Sequence, residues 1–391
     1  MKKKVSILGS TGSIGLNSLK IFEKKKRIFS IYLLAAKKNF KLIVQQINKY
    51  KPQIFIISDY KTLIKVKKKF TNKNIRFYKN VNECKDILNK SDITVAAIPG
   101  IDGLQPTIEL IKKSKKMLVA NKESIICGWN LIKKSAKKFN TKIIPIDSEH
   151  YSIMRLIKEE KLEDIEKVYL TASGGPFLNF KLSKLKKVKP KEALNHPKWK
   201  MGKKISIDSA SLMNKMLELV EAQKLFSIEL KNIDIIIHPE SLIHAIIQLK
   251  NGLYKFLYHE TSMIVPLTNA IFEKDLDIKK FHSLDLKIKN NFFFKSLNFQ
   301  KVEKKRFPVI KLKSRLNEFY STPIIINAVN EILVDQYLRK KIPFNSFYNH
   351  ILTVMNDRNY KKYAIKIPKN IDQILTIDKW ARETTLKKIK Y

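Results

Sequence analysis

Asp147-Ser148-Glu149-His150 follows directly on the apolar run Ile143 to Ile146. Residues two apart on an extended segment project to the same side, so the carboxylates of Asp147 and Glu149 can converge on one cation. A set of oxygen ligands favours Mg²⁺ or Mn²⁺ over zinc. The same acidic pair also serves as a helix cap or a turn, so it gains weight only from a second motif, Asp208-Ser209-Ala210-Ser211-Leu212-Met213-Asn214-Lys215-Met216-Leu217-Glu218. There Asp208 or Ser209 is a natural N-cap. Asn214, Lys215 and Glu218, spaced three and four apart, share one helical face and offer an amide, a cation and a carboxylate. Leu212, Met213, Leu217 and Leu219 read as core. Asp147 and Glu149 are thus candidate ligands of one divalent metal, and Glu218 adds a third carboxylate.

A second kind of chemistry is written in Gly9-Ser10-Thr11-Gly12-Ser13-Ile14-Gly15, which follows a four-residue apolar run and opens a helical pattern from Leu16 to Phe22. Glycines there allow close approach of the backbone to a pyrophosphate, and the helix N-terminus supplies N–H donors. A tight strand-to-helix turn without a ligand has the same glycines, but the position after the first strand of an alternating region favours a dinucleotide. The next strand ends Ala35-Ala36-Lys37-Lys38-Asn39. It lacks the carboxylate that accepts from the 2′-hydroxyl of NAD, while Lys37 and Lys38 suit a 2′-phosphate, so NADPH is the expected cofactor. Thr171-Ala172-Ser173-Gly174-Gly175-Pro176 offers a hydroxyl and backbone N–H groups suited to phosphate. His196-Pro197-Lys198-Trp199-Lys200-Met201-Gly202 has the makings of a closing lid. Each of these last two segments is equally readable as a plain turn.

The elements needed to position these groups are legible as hydrophobic patterns. Val5 to Leu8, Ile31 to Ala36, Gln53 to Ile57, Ile93 to Ile98, Met117 to Ala120 and Ile143 to Ile146 are short apolar runs separated by helical spacing. That alternation predicts an α/β architecture beginning with a Rossmann-like, doubly wound parallel sheet. Strands near Val168 to Thr171, Ile233 to His238 and Ala245 to Leu249, with a helix from about Ala210 to Leu225, predict a second α/β domain that carries the catalytic residues. Leu286 to Lys305 has no clean period and reads as a connection. Pro308 to Leu316, Pro323 to Leu338 and Phe344 to Asn356 predict a small helical C-terminal domain. The expected division is a nucleotide-binding domain at 1–146, a catalytic and metal-binding domain at 147–285, to which the resemblance given below adds dimerisation, the connection at 286–305 and the helical domain at 306–391.

The 391 residues exceed what one hydrophobic core usually serves. A formal charge of +43 attracts polyanions in general. Only 8 of the 78 basic residues are arginine, however, and lysines recur everywhere, as at Lys2 to Lys4, Lys24 to Lys26, Lys67 to Lys69, Lys387 and Lys388. Without a basic patch interleaved with aromatics, no specific nucleic-acid partner is expected. An acidic substrate would still benefit from the field. Cys84 and Cys127 stand far apart, which supports neither a disulfide framework nor a thiolate metal site. The apolar run after the N-terminal lysines ends at Gly9, too early for a signal peptide, and no stretch reaches the ~18 apolar residues of a membrane span. A cytoplasmic protein without a membrane partner is therefore expected.

Taken in order, the segments resemble the 1-deoxy-D-xylulose 5-phosphate reductoisomerases. The resemblance runs through Gly9 to Gly15, Ala120-Asn121-Lys122-Glu123, Asp147 to His150, Ala172 to Phe177, His196 to Gly202, Asp208 to Glu218, His238-Pro239-Glu240-Ser241 and Asn327-Ala328-Val329-Asn330-Glu331. It implies Asp147, Glu149 and Glu218 as metal ligands. It implies Ser173, Ser209, Asn214 and Lys215, with His196, as the grip on a substrate phosphate, and Ser148 and Lys122 at the reacting end of the sugar. Thr11, Gly12, Ser13, Ile14, Asn39, Asn121, Glu123 and Gly202 would line the NADPH site, and Trp199 and Met201 would close the lid. A homodimer and a small phosphorylated sugar substrate are implied in the same way. Lys198 stands where the family usually has Asn, Lys37 where it has Gly and Glu240 where it has Gln, and Tyr258 to Pro266 matches poorly.

Overall fold

The computed structural model describes residues 1–71, 74–199, 201–273, 276–281 and 296–389. By packing, the chain forms two compact units. One comprises Met1–Ser124, Gly128–Tyr151 and Ser262–Ile288; the other comprises Ile125–Cys127, Ser152–Thr261 and Lys289–Tyr391.

The first unit is built on seven parallel strands: β1 (Lys3–Leu8), β2 (Phe29–Ala36), β3 (Ile54–Ile57), β4 (Arg76–Tyr78), β5 (Ser91–Ala96), β6 (Ser114–Val119) and β7 (Lys142–Pro145). Their order in the sheet is β4-β3-β2-β1-β5-β6-β7. Between them run α1 (Ser13–Lys24), α2 (Phe40–Tyr50), α3 (Tyr60–Lys69), α4 (Leu104–Ile111) and α5 (Lys122–Phe139). All four residues of β3 and the last four of β1 are buried, as strands covered by helices on both faces require. Strand order reverses between β1 and β5, which opens a crevice at their carboxyl ends, the usual ligand position in such sheets. The chain returns to this unit through α10 (Ile264–Phe272): Phe272 packs edge-to-face on Phe29 at 5.8 Å, and the Lys116 ammonium donates to the carbonyls of Ala270 and Ile271 at 3.0 Å each.

The second unit has a five-stranded mixed sheet, ordered β11-β10-β8-β9-β12, from β8 (Ile165–Ala172), β9 (Ile233–Ile237), β10 (Ile243–Leu249), β11 (Tyr254–Tyr258) and β12 (Gln300–Lys301). The helix α6 (Ser148–Leu156), which begins in the first unit and passes into the second at Ser152, precedes β8, and α7 (Pro190–Ala193), α8 (Lys203–Ser211) and α9 (Met213–Phe226) lie between β8 and β9. The C-terminal stretch supplies α11 (Thr322–Leu338), α12 (Phe347–Met355), α13 (Tyr360–Ala364) and α14 (Ile371–Ile389). Twelve residues of α11 are buried, among them Asn327 and Asn330, because this helix is enclosed by α8, α9, α12 and α14. The α/β class and the parallel first sheet agree with the sequence patterns.

Some local readings are corrected. The helix expected from Ala210 to Leu225 is two helices: Leu212, at φ 66° and ψ 8°, breaks the ladder between α8 and α9. Neither Asp208 nor Ser209 is an N-cap, because α8 already starts at Lys203, after Gly202. Pro308 to Arg315 is 3₁₀ rather than α-helix. Of the connection expected at 286–305, residues 286–295 lie outside the described residues. Strands β4, β11 and β12 and helices α13 and α14 carried no signal that singled them out.

Candidate active site

The Gly9 to Gly15 turn lies at the carboxyl end of β1 and leads into α1. Gly9 has φ +83°, and a Cβ there would sit 2.4 Å from the Ala97 carbonyl oxygen at the end of β5. A Cβ on Gly15 would meet the Gly9 carbonyl oxygen at 2.3 Å, so the helix can enter this closely only with glycine at that position. Gly12 occupies the N-cap without a side-chain cap, which leaves the first-turn N–H groups of α1 facing outward from the helix end. Thr11 is half-buried, while Gly12, Ser13, Lys37, Lys38 and Asn39 are exposed around this turn and the end of β2. Asn39 caps α2 by accepting from Leu42 N–H at 3.2 Å, and Lys37 pairs with Asp102 at 3.6 Å.

Asn121 and Glu123 are buried and already engaged. The Asn121 amide donates to the carbonyls of Ile98 at 2.6 Å and Gly100 at 3.0 Å and to the Glu123 carboxylate at 3.0 Å, while its oxygen caps α5 by accepting from Ser124 N–H. Their direct effect is to fix the chain after β5 beside the glycine turn.

Asp147 and Glu149 sit at the start of α6. The chain turns into a helix at Ser148, so the two carboxylates converge as cap and first-turn residues, and the extended geometry expected from the sequence is corrected. Asp147 accepts from Glu149 N–H at 3.2 Å, and Ser148 donates its hydroxyl to Glu149 at 2.6 Å. Each of the two carboxylates offers an oxygen within 4.8 Å of the other. Lys122, buried at the start of α5, places its ammonium 3.5 Å from Asp147, and His150 lies at the same distance on the other side. Burial pushes the Asp147 carboxyl up, but Lys122 and His150 outweigh it and hold the group well below the usual carboxylate range. The group is thus an anion with a cation beside it, a donor set suited to a hard divalent ion.

In the second unit, the α8–α9 corner and the turn after β8 build another cluster. Gly174 and Gly175, at φ +78° and +65°, turn the chain sharply after Ala172. A Cβ on Gly175 would lie 3.0 Å from the Ser209 carbonyl oxygen, so this turn and the last turn of α8 are in direct contact. Lys215 and Glu218 are buried on α9; Glu218 accepts from the Lys215 ammonium at 2.7 Å and from the Asn214 amide. The face expected from spacing is therefore present.

His196 completes this cluster, and its tautomer follows from its partners. Its Nδ1 accepts from Lys198 N–H at 3.1 Å and Trp199 N–H at 3.0 Å, so the ring proton is on Nε2. Nε2–H then donates to Ser173 Oγ at 3.0 Å. Ser173 Oγ also accepts from Gly175 N–H at 3.1 Å, which directs its own hydroxyl proton elsewhere. Burial, with a contribution from the Lys215 ammonium, pulls His196 down to about 4, so the ring is neutral around pH 7. Lys198 acts here through its backbone, so the hydrogen bond survives the replacement of Asn. Trp199 is half-buried and its ring lies edge-on to His244; Met201 and Gly202 follow, with Gly202 as the N-cap of α8.

Sequence reasoning missed one support of this cluster and one tie elsewhere in the same unit. Asp208 is fully buried and accepts from Lys204 at 3.0 Å and from the Asn330 amide at 2.8 Å, which ties α8 to α11. Glu240 accepts from the Asn298 amide at 2.7 Å and the Asn298 N–H at 3.2 Å, fixing the chain ahead of β12. The first involved a motif already noted, Asn327 to Glu331, but its partner lay 122 positions away.

Three family profiles match the chain: the 1-deoxy-D-xylulose 5-phosphate reductoisomerase domain over residues 5–128, its C-terminal domain over 143–226, and a further DXP reductoisomerase C-terminal domain over 260–384. A 1-deoxy-D-xylulose 5-phosphate reductoisomerase of Pelagibacter ubique is 42% identical over 380 residues, 96% of this chain and 97% of that protein. One from Thermodesulfovibrio yellowstonii is 38% identical over 99% of both chains. Among solved structures, a DOX-P reductoisomerase in complex with NADPH, fosmidomycin and magnesium superposes with a TM-score of 0.91 at 29% identity, over 99% of this chain and 98% of that one. The reductoisomerase of Zymomonas mobilis in complex with NADPH gives 0.85 at 27% identity, over 100% and 99%. With such identity across nearly its whole length, the chain belongs to the 1-deoxy-D-xylulose 5-phosphate reductoisomerase family.

Proposed function

We propose that the chain converts 1-deoxy-D-xylulose 5-phosphate to 2-C-methyl-D-erythritol 4-phosphate, a step of isoprenoid precursor biosynthesis, using NADPH and one Mg²⁺ or Mn²⁺. The observation that carries this reading is that one chain of this family holds both an anionic Asp147–Glu149 site beside Lys122 and a donor-lined Ser173–His196–Lys215 cluster. The NADPH pyrophosphate is assigned to the Gly12, Ser13 and Ile14 N–H groups with Thr11, and the 2′-phosphate to Lys37, Lys38 and Asn39. Asn121, Glu123 and Gly202 complete that site.

Asp147, Glu149 and Glu218 are assigned as the metal ligands. A bound divalent ion supplies Lewis acidity that stabilises negative charge on the substrate oxygens. The remaining steps use the protein's own groups. Ser173, His196, Ser209, Asn214 and Lys215 hold the phosphate and fix the sugar's register. Lys122 sets a positive charge at the reacting end, where charge develops as the carbon–carbon bond breaks and re-forms, and Ser148 orients the hydroxyl-bearing end. Trp199 and Met201 exclude water from the branched aldehyde before NADPH delivers hydride to it. Functional roles divide the chain at 1–146 for the cofactor, 147–285 for catalysis and dimerisation, 286–305 as connection and 306–391 as helical support. This division follows role and not packing, since α10 packs on the first sheet.

A homodimer fits the edge of the second sheet, where Leu253, just ahead of β11, and Tyr254 and Phe256 on it are each more than half exposed. Among the described residues no helix is long and apolar enough to cross a membrane. A cytoplasmic location is the reading consistent with the reduced, buried Cys84 and Cys127. The test is NADPH consumption by purified protein. It is expected only with both 1-deoxy-D-xylulose 5-phosphate and Mg²⁺ or Mn²⁺ present, and with NADH much less effective. Oxidation that proceeds without the sugar phosphate would defeat the reading.

A further inference from the structure

His244 and His259, 15 residues apart on β10 and just after β11, stack face to face with ring centroids 3.9 Å apart and planes at 16°. Trp199 packs its ring edge-on against His244, at 6.0 Å and 70°. Both imidazoles are buried. Their protonation follows from their partners, because a carbonyl oxygen only accepts. His259 Nδ1 lies 2.7 Å from the Glu260 carbonyl oxygen and must carry the proton there. His244 Nε2 lies 3.4 Å from the His259 carbonyl oxygen and carries its proton on that side. His259 Nε2 is then a bare acceptor, buried and without a hydrogen-bond partner among the described residues.

An unpaired buried acceptor costs stability that an apolar ring of similar size would avoid. The imidazole must therefore contribute something a phenyl ring does not. What it has is the Nδ1–H tie to Glu260, which locks the plane of a ring that also serves as a stacking surface. Burial pulls His259 down to about 4, so the ring stays neutral and the tie persists across the neutral range. Upward from this floor, His244 is held in one orientation, Trp199 docks against it, and Trp199 N–H donates to His196 Nδ1. His259 falls in Tyr258 to Pro266, where the chain departs from the family pattern, so family membership does not supply this ring.

We propose that His259 is a positioning residue for the sugar phosphate: its clamped ring fixes His244, which docks Trp199 and so sets the pose of His196 at the phosphate-binding cluster. This rests on the phosphate and lid roles assigned above. The ring and the tie are separable by substitution: His259→Phe keeps a ring without the tie, His259→Asn keeps an amide donor without a ring, and His259→Ala removes both. In the full-length chain with Mg²⁺, His259→Ala is expected to raise KM for 1-deoxy-D-xylulose 5-phosphate about tenfold, with KM for NADPH within about twofold, since misplacement of a binding group acts on the ligand it holds. Phe and Asn fall between Ala and the wild type.

A second measurement does not depend on turnover. With Trp129 and Trp380 replaced by Phe, Trp199 is the one remaining indole. Its emission is expected to shift to the red in His259→Ala as the ring undocks into water. Unchanged Trp199 emission in His259→Ala, together with an unchanged KM for the sugar phosphate, overturns the proposal. So does a rise of both KM values by one factor, which would mark general loosening. If His259→Ala does not fold, the Phe and Asn variants decide by the same criteria. If the wild type does not turn over the sugar phosphate, the functional reading has failed, and the emission arm still tests the docking.

Discussion

Replacing Glu218 by Gln removes one negative charge while keeping the side chain's shape, so it separates electrostatics from packing. Glu218 is 1% exposed and accepts at both oxygens, from Asn214 and from the Lys215 ammonium at 2.7 Å. Gln has a single accepting atom, so one of those donors must then face an NH₂ group. The Lys215 ammonium, only 6% exposed, also loses the charge that compensates its burial. Breaking a buried ion pair costs about 3–5 kcal/mol. If that cost falls on substrate phosphate and metal in the transition state, kcat/KM drops by about two to four orders of magnitude, at ~1.4 kcal/mol per factor of ten. Glu218 has no assigned role toward NADPH, whose Kd should stay within about twofold when titrated by fluorescence, because distant independent sites behave additively. Initial rates of NADPH oxidation give the first number. A fall in kcat/KM of less than about tenfold would refute the charge argument. NADPH binding weakened in parallel with turnover would refute the assignment of Glu218 to metal.

Chelation by EDTA should abolish NADPH oxidation, and Mg²⁺ or Mn²⁺ should restore it; rates indifferent to EDTA would sink the metal assignment. Asn330→Leu leaves the buried Asp208 carboxylate short of a donor, and a hydrogen bond to a charged group is worth about 1.5–3 kcal/mol, so the thermal unfolding midpoint should fall and KM for the sugar phosphate should rise. An unchanged midpoint would show that the α8–α11 tie carries little. His196 and His259 are both lowered from 6.5 to about 4 by burial. The unfolded chain therefore binds more protons between those values, and stability is fully present above pH 6.5 and is lost as pH falls toward 4. In scans across that window, His259→Phe should flatten the loss. Finally, binding to a DNA duplex should be weak, blind to sequence and steeply reduced by salt, as expected of diffuse lysine charge; a sequence-selective affinity would contradict the composition argument.

The parts of the fold that were legible in the sequence were those with a strong local cause. The apolar runs of β1, β2, β3, β5, β6 and β7 are mostly buried, with Ile31 and Ile143 half-buried, so nearly every residue in them reports the sheet. Edge strands carry no such record: β11 exposes Tyr254, Lys255 and Phe256 in succession, and β4 has three residues. The break at Leu212 was invisible for another reason. A leucine in left-handed backbone runs against its own preference, and only the packing of α8 and α9 holds it there. In the site, the Asn214–Lys215–Glu218 face followed from helical spacing, whereas the convergence of Asp147 and Glu149 was anticipated through the wrong local geometry. The Asp208–Asn330 tie and the His244–His259 stack join residues that no short-range pattern connects.

With Nδ1 accepting from the backbone, His196 gives its Nε2–H to Ser173, whose oxygen also accepts from Gly175 N–H and is left with its own proton to give; with the Lys215 ammonium, the groups assigned to the phosphate have more hydrogen bonds to give than to receive. A phosphate dianion suits such a surface; a singly protonated phosphate brings an O–H into a ring of donors. Because His196 is already neutral well above its depressed pKa, the proton that governs affinity near neutrality belongs to the ligand, whose second ionisation lies at about 6. Affinity for the sugar phosphate should climb through that value. An analogue with a different second ionisation should carry the curve with it.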